Sequence, residues 1–253
     1  MLADAADDAP GARRERRAPR RGGVLTFLRD VVVIVLVALL VAFLVKTFLV
    51  RAFYIPSASM EDTLMEQDRI LVDELTPRFG GYDRGDVVVF RDPGGWLPPS
   101  APAAPANPLA GAVDAVLSVV GLSASDSDDH LIKRIVGLPG DRVACCNDLG
   151  QVTINGTPVD ESGYLTLPEV GAPASAIPFE VVVPDDALWV MGDNRYRSRD
   201  SRYNQDQPGG GFVPLANVVG RAFVITWPFP RFGLIPSASA AFAGVPDPES
   251  PSP

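Results

Sequence analysis

The chain has 253 residues, a net charge of −9, 25 Pro, 23 Gly, two Cys and one His. At about 150 residues per domain the length allows one or two domains, while the adjacent Cys145 and Cys146 exclude a disulfide scaffold or an ordinary zinc cluster and the lone His130 excludes a His-rich metal site. The acidic balance argues against nucleic acid as a partner, because a phosphate backbone needs surplus Lys and Arg.

Residues 1–23 are polar, with Arg13, Arg14, Arg16, Arg17, Arg20 and Arg21 clustered, and read as a disordered cytoplasmic tail. Residues 24–50 read as a transmembrane anchor. Val31 to Val45 is an unbroken apolar run, and Thr47 to Val50 beyond Lys46 extends it to about 20 residues, enough to cross ~30 Å of hydrocarbon. The Arg cluster before this run places the N-terminus in the cytoplasm and everything from about residue 51 outside. Ser57-Ala58-Ser59 also has the form of a signal-peptide cleavage site. The late start and spanning length of the apolar run favour an anchor instead.

The periodicity then changes to short β-type runs. Arg69 to Asp73, Asp86 to Phe90, Leu131 to Val136, Gln151 to Ile154, Glu180 to Val183, Leu188 to Met191 and Gly220 to Thr226 are predicted strands of a mostly β domain over 51–235. Asn155-Gly156 is a two-residue hairpin signal between Val152-Thr153-Ile154 and Thr157-Pro158-Val159. Residues 93–127 interrupt the pattern as a Pro/Ala-rich surface insertion, with a short amphipathic helix predicted over Leu109 to Leu122 and an acidic loop over Ser123 to Asp129. Residues 236–253 are small, Pro-rich and acidic and read as a disordered tail.

Of the 22 cationic residues, 20 are Arg and only Lys46 and Lys133 are Lys. A GC-rich genome explains the bias but not the two exceptions. Arg keeps its proton in a protein, whereas a buried Lys can lose it. In the run His130 to Asp141, strand alternation puts Lys133 on one face with Leu131 and Ile135. Burial there would lower its pKa by several units and create a general base. As a surface residue, the same Lys would snorkel to water. The segment Ile55-Pro56-Ser57-Ala58-Ser59-Met60-Glu61-Asp62-Thr63-Leu64 is either a Ser-rich linker or a tight turn presenting a serine for acyl transfer. Met191 to Arg202 carries Gly-Asp-Asn after an apolar strand, then dense Asp, Arg and Ser, which suit a solvated loop or a buried polar network. Arg84 to Phe90 is a turn into a strand.

These four segments, in this order behind an N-terminal anchor, resemble bacterial type I signal peptidase, a family of membrane-anchored Ser/Lys serine proteases. The resemblance covers the span and about residues 51–92 and 130–231. It implies Ser59 as nucleophile, Lys133 as general base, and Ser57 with the Ser59 amide as the oxyanion hole. Ser198 matches the serine that hydrogen-bonds and orients the lysine, and Asp200 and Arg202 match a supporting ion pair. Asp62 stands where the family usually has Pro. The implied reaction removes signal peptides from exported preproteins at the outer face of a bacterial plasma membrane, needs neither metal nor other cofactor, and has preproteins, the lipid bilayer and the secretion translocon as partners. Cys145 and Cys146 lie outside the matched chemistry and read as two thiols in preference to a vicinal disulfide, which an extracytoplasmic location would permit but which would be strained. Two other readings are a His130-based hydrolase, with His130 expected to face away from Lys133 by strand parity, and an inactive anchored β domain serving export assembly.

Overall fold

The computed structural model describes residues 23–48, 50–75, 79–98 and 129–248. It divides at Phe43/Leu44 into two units. The first contains most of helix α1, Gly23–Phe48, an uninterrupted Val- and Leu-rich stretch without Pro. Its described large apolar side chains, from Phe27 to Val41, are all exposed. Within α1 the described side chains beyond Gly23 run only over 26–41. Among the described residues no helix is long and apolar enough to cross a membrane.

The second unit is mostly β. Its larger sheet has strands β1 (Val50–Tyr54), β2 (Arg69–Asp73), β3 (Val87–Arg91), β4 (His130–Gly137), β9 (Ala187–Met191), β10 (Val213–Pro214), β11 (Val218–Trp227) and β12 (Gly233–Leu234). Their order is β1-β2-β11-β3-β4-β9-β10, with β12 on β11. A four-stranded sheet contains β5 (Arg142–Cys145), β6 (Val152–Ile154), β7 (Thr157–Pro158) and β8 (Phe179–Val182) in the order β7-β6-β5-β8. Asn155 and Gly156 both have positive φ, 51° and 79°, the backbone a type I′ turn between β6 and β7 requires. In β6, Val152 and Ile154 face the core and Thr153 does not.

β3 and β4 pair in register from Val87↔Arg134 to Arg91↔His130. The long excursion between them therefore leaves and returns at one place, closed by the hydrogen bond from Asp92 N–H to Asp129 O at 3.0 Å. One residue near the start of the predicted insertion, Trp96, belongs to the core. Asp92 accepts from the N–H groups of Gly94, Trp96 and Leu97, and buried Trp96 packs edge-on against Phe90. The predicted helix over 109–122 lies outside the described residues.

Two sequence expectations are corrected. The tail from 236 is packed as far as it is described: Ala238 and Phe242 are buried with Val143, Val152, Ile154 and Trp189, and Pro246 O accepts from Arg84 and Asn155. Its few apolar residues fill an open flank of the four-stranded sheet, which composition alone does not reveal. Cys145 and Cys146, read as thiols, are joined in a disulfide. β5 ends at Cys145, so side-chain alternation no longer separates the two sulfurs.

Candidate active site

The first serines sit on a turn held at both ends by apolar side chains. Ile55, Met60 and Leu64 are buried with Phe53, Ile70 and Val72, and backbone bonds link Ile55 N–H to Asp68 O and Gln67 N–H to Ile55 O. Between these anchors Ser57 is extended and Ala58–Met60 make one 3-10 turn. Ser57 is exposed and Ser59 buried, with their Oγ atoms 3.3 Å apart.

Lys133 meets them from β4, 74 residues along the chain. It is 4% exposed, and its Nζ donates to Ser59 Oγ at 2.8 Å and to Ile132 O at 2.8 Å. This is no snorkelling lysine. Burial is the largest influence on the amine and lowers its pKa from 10.5 to about 8, with Asp200 and Asp193 opposing the shift and Arg202 assisting it.

Those two carboxylates are each gripped by a guanidinium. Asp200 accepts from Arg202 Nε at 2.8 Å and Nη2 at 2.7 Å, and from Gly192 N–H at 2.9 Å. Its burial pushes the carboxyl pKa up, but Arg202 and these hydrogen bonds outweigh that and hold it below the ordinary value. Asp193 accepts from Arg134 Nε at 2.8 Å and Nη2 at 2.6 Å, and from Thr63 Oγ1 at 2.6 Å. Arg195 makes a third buried pair with Glu161. The loop after β9 is thus a buried network, not a solvated loop.

Ser198 departs from the expected contact. Its Oγ is buried and makes no hydrogen bond to Lys133. It meets no partner at strict hydrogen-bond geometry, yet it lies close enough to Asp200 to help hold that carboxylate ionised. Gly192 explains how closely the loop approaches Ser59: a Cβ there would stand 2.3 Å from Ser198 Oγ and 2.4 Å from Ser59 O. Asn194 N–H donates to the same Ser59 carbonyl at 3.1 Å. Asp62, exposed, shares the Thr166 hydroxyl with Glu61 O.

His130 does not turn wholly away. An apolar cleft of about 140 Å³ is lined by Phe53, Ile55, Val89 and Leu131 together with Ser57, Lys133 and His130. The imidazole lies against Phe53, its Nδ1 2.7 Å from Asp129. A pure alternation argument misses this because the cleft wraps the strand edge and takes residues of both parities. Sequence reasoning also missed the roles of Arg134, Asp193, Glu161 and Arg195. Gly-Asp-Asn signalled a turn, but nothing local tells that Glu161 will meet Arg195. Among the described residues no group of three or more His, Cys, Asp or Glu could hold a metal ion.

The sequence profile of the family described as signal peptidase, peptidase S26, matches residues 28–227. The chain belongs to this family. Signal peptidase I of Mycobacterium tuberculosis is 36% identical over 94% of this chain and 84% of its own length. Probable signal peptidase I of Mycobacterium leprae is 36% identical over 84% of this chain and 81% of its own. Probable signal peptidase I-2 of a Synechocystis strain is 38% identical over 78% and 72%. The region matched to the S26 family includes Ser59, Lys133 and all three buried ion pairs, and stops before the C-terminal residues packed on the four-stranded sheet.

Proposed function

We propose that Ser59 is the nucleophile and Lys133 the general base with which this serine endopeptidase removes signal peptides from preproteins. The observation that carries the reading is the 2.8 Å bond from buried Lys133 Nζ to Ser59 Oγ. With a pKa of about 8, roughly a tenth of the amines are neutral at pH 7, against well under a thousandth for a free lysine. Neutral Nζ takes the Ser59 proton as Oγ bonds to the scissile carbonyl carbon. Ser57 Oγ–H and the Ser59 N–H face the developing oxyanion. As the peptide bond breaks, Lys133 returns the proton to the leaving amine. Water then attacks the Ser59 ester, gives its proton to Lys133 and releases the signal peptide, and Ser59 regains its hydrogen. Asp200 and Arg202, with Ser198 beside them, position the lysine and keep the surrounding charge balanced.

The same reading puts residues 24–50 across a bacterial plasma membrane as a single span, with the Arg-rich tail cytoplasmic and the β domain outside. Preproteins delivered by the secretion translocon are then cut close to the lipid bilayer. Chain reach limits Ser59 to within ~30 Å of Val50. Trp227, Phe229, Phe232 and Leu234 are exposed apolar side chains available for bilayer contact.

Detergent-solubilised protein incubated with a preprotein tests the reaction. Wild type is expected to release the signal peptide, and Ser59→Ala, equally folded, to release none. Equal cleavage by both would remove Ser59 from the mechanism.

A further inference from the structure

Two cavities of different character lie near Ser59. Residues 53–57 line the apolar cleft. On the flank of residues 59–61 is a polar cavity of about 550 Å³, lined by Tyr196, Arg197, Ser198, Arg199 and Tyr203. It lies on the loop beside the reaction centre: Ser198 and Ser59 O both stand close to Gly192, and Arg197 Nη1 reaches Glu61 Oε2 at 3.2 Å, two residues past Ser59. Asn194 Nδ2 holds Glu61 from the other side at 3.1 Å.

The cavity is basic in an acidic protein. Arg197 and Arg199 are both exposed, and Glu61 offsets only one of the two charges. Among the described residues no carboxylate pairs with Arg199. Tyr196 and Tyr203, each 38% exposed, provide ring surface beside the guanidiniums. A guanidinium fork matches a carboxylate in two parallel hydrogen bonds, and a positive recess with low-dielectric walls concentrates anionic groups.

We infer that this cavity receives the peptide on the leaving side of the scissile bond and selects for Asp or Glu among the first residues of the mature chain. The inference rests on the Ser59 mechanism proposed above. In that mechanism the acyl half remains bonded to Ser59 Oγ while the leaving half departs from the opposite side of the carbonyl carbon. With the acyl half seated in the apolar cleft, the leaving half lies toward Arg197 and Arg199.

Two peptides with the same signal sequence, carrying either Asp or Lys at the second and third positions after the cut, test this by their ratio of kcat/KM. Wild type is expected to favour the Asp peptide about fivefold, the size that screened surface ion pairs provide, and the preference should fade at high salt. Arg199→Glu is expected to reverse the ratio. Arg199→Gln is expected to reduce it and serves if the charge reversal does not fold. Arg142→Gln, on the four-stranded sheet, is expected to leave the ratio at its wild-type value. Equal cleavage of both peptides by wild type would overturn the subsite and leave the Ser59 mechanism standing. Cleavage of neither would overturn that mechanism itself. Loss of binding to phosphatidylglycerol vesicles in Arg199→Glu, with an unchanged peptide ratio, would assign the cavity to lipid and also overturn the inference.

Discussion

Around Ser59 the larger sheet buries Lys133, Arg134, Asp193, Asp200 and Arg202, each less than 5% exposed, whereas the four-stranded sheet packs Val143, Val152, Ile154 and Phe179 around Trp189. The second arrangement is an apolar core that only has to exclude water. In the first, every buried carboxylate is hydrogen-bonded to a guanidinium, and the one buried amine has no carboxylate of its own. This difference suits the lysine to the base role proposed for it. Asp193 and Asp200 both favour the charged amine, so if either were unpaired the lysine pKa would lie higher. Held by Arg134 and Arg202, they leave burial as the dominant influence. Buried ion pairs are weak evidence for stability; here Arg202 also helps to keep the lysine pKa low.

The largest effect should come from replacing the amine with a charge that cannot be lost. Lys133→Arg is expected to fold and to lose at least about 10³-fold in cleavage rate, because guanidinium cannot accept the Ser59 proton. Substantial cleavage by this variant would end the Ser/Lys assignment. Arg202→Met strands Asp200 and is expected to cost about 3–5 kcal/mol of stability. The surviving enzyme should have its pH–rate profile moved upward, since Arg202 helps to lower the Lys133 pKa. Denaturant unfolding beside a pH–rate series measures both, and an unchanged profile would show that Arg202 only supports the fold.

Phe242→Ala tests the apolar partner in the comparison. About 3 kcal/mol should be lost through an unfilled space on the four-stranded sheet, with no movement of the pH–rate profile. A shifted profile would show that the two regions are coupled. The smallest effect concerns Lys133 and stability. Its folded pKa is lowered, so below about pH 8 both folded and unfolded chains carry the charge and the folded state bears the full cost of burying it. Between about 8 and 10.5 the folded chain binds fewer protons, and stability from this group rises with pH. Lys133→Met should therefore raise the melting temperature by a few degrees below pH 8, a gain that shrinks toward pH 10.5. A gain independent of pH would contradict a lowered lysine pKa.

Much of the larger sheet was legible because its strands are dense in β-branched residues: Arg69–Asp73 matches its predicted limits, and Val87–Arg91 and His130–Gly137 lie within one residue of theirs. β5 was not visible, since Arg142-Val143-Ala144-Cys145 is short and holds one β-branched residue. β1 was hidden by the apolar run that precedes it. In the candidate site the serine turn and the unusual lysine were identifiable one by one, from the small residues around Ser59 and the scarcity of Lys. The surrounding pairs, Arg134 with Asp193 and Arg195 with Glu161, were not, because an Arg or Asp in a sequence carries no mark of its partner.

The sequence by itself determined what depends on neighbours along the chain: the hairpin at Asn155-Gly156, the strand at β6, and a serine turn and a rare lysine with the residue types for acyl transfer. Only the tertiary structure decided what depends on residues far apart. It set Nζ of Lys133 2.8 Å from Ser59 Oγ across 74 positions, buried the amine, paired its nearby carboxylates with guanidiniums, and packed the C-terminal residues on the four-stranded sheet. The physical reason is that a pKa responds to desolvation and to charges within a few ångströms in space, and distance in space is set by the packing of the whole chain.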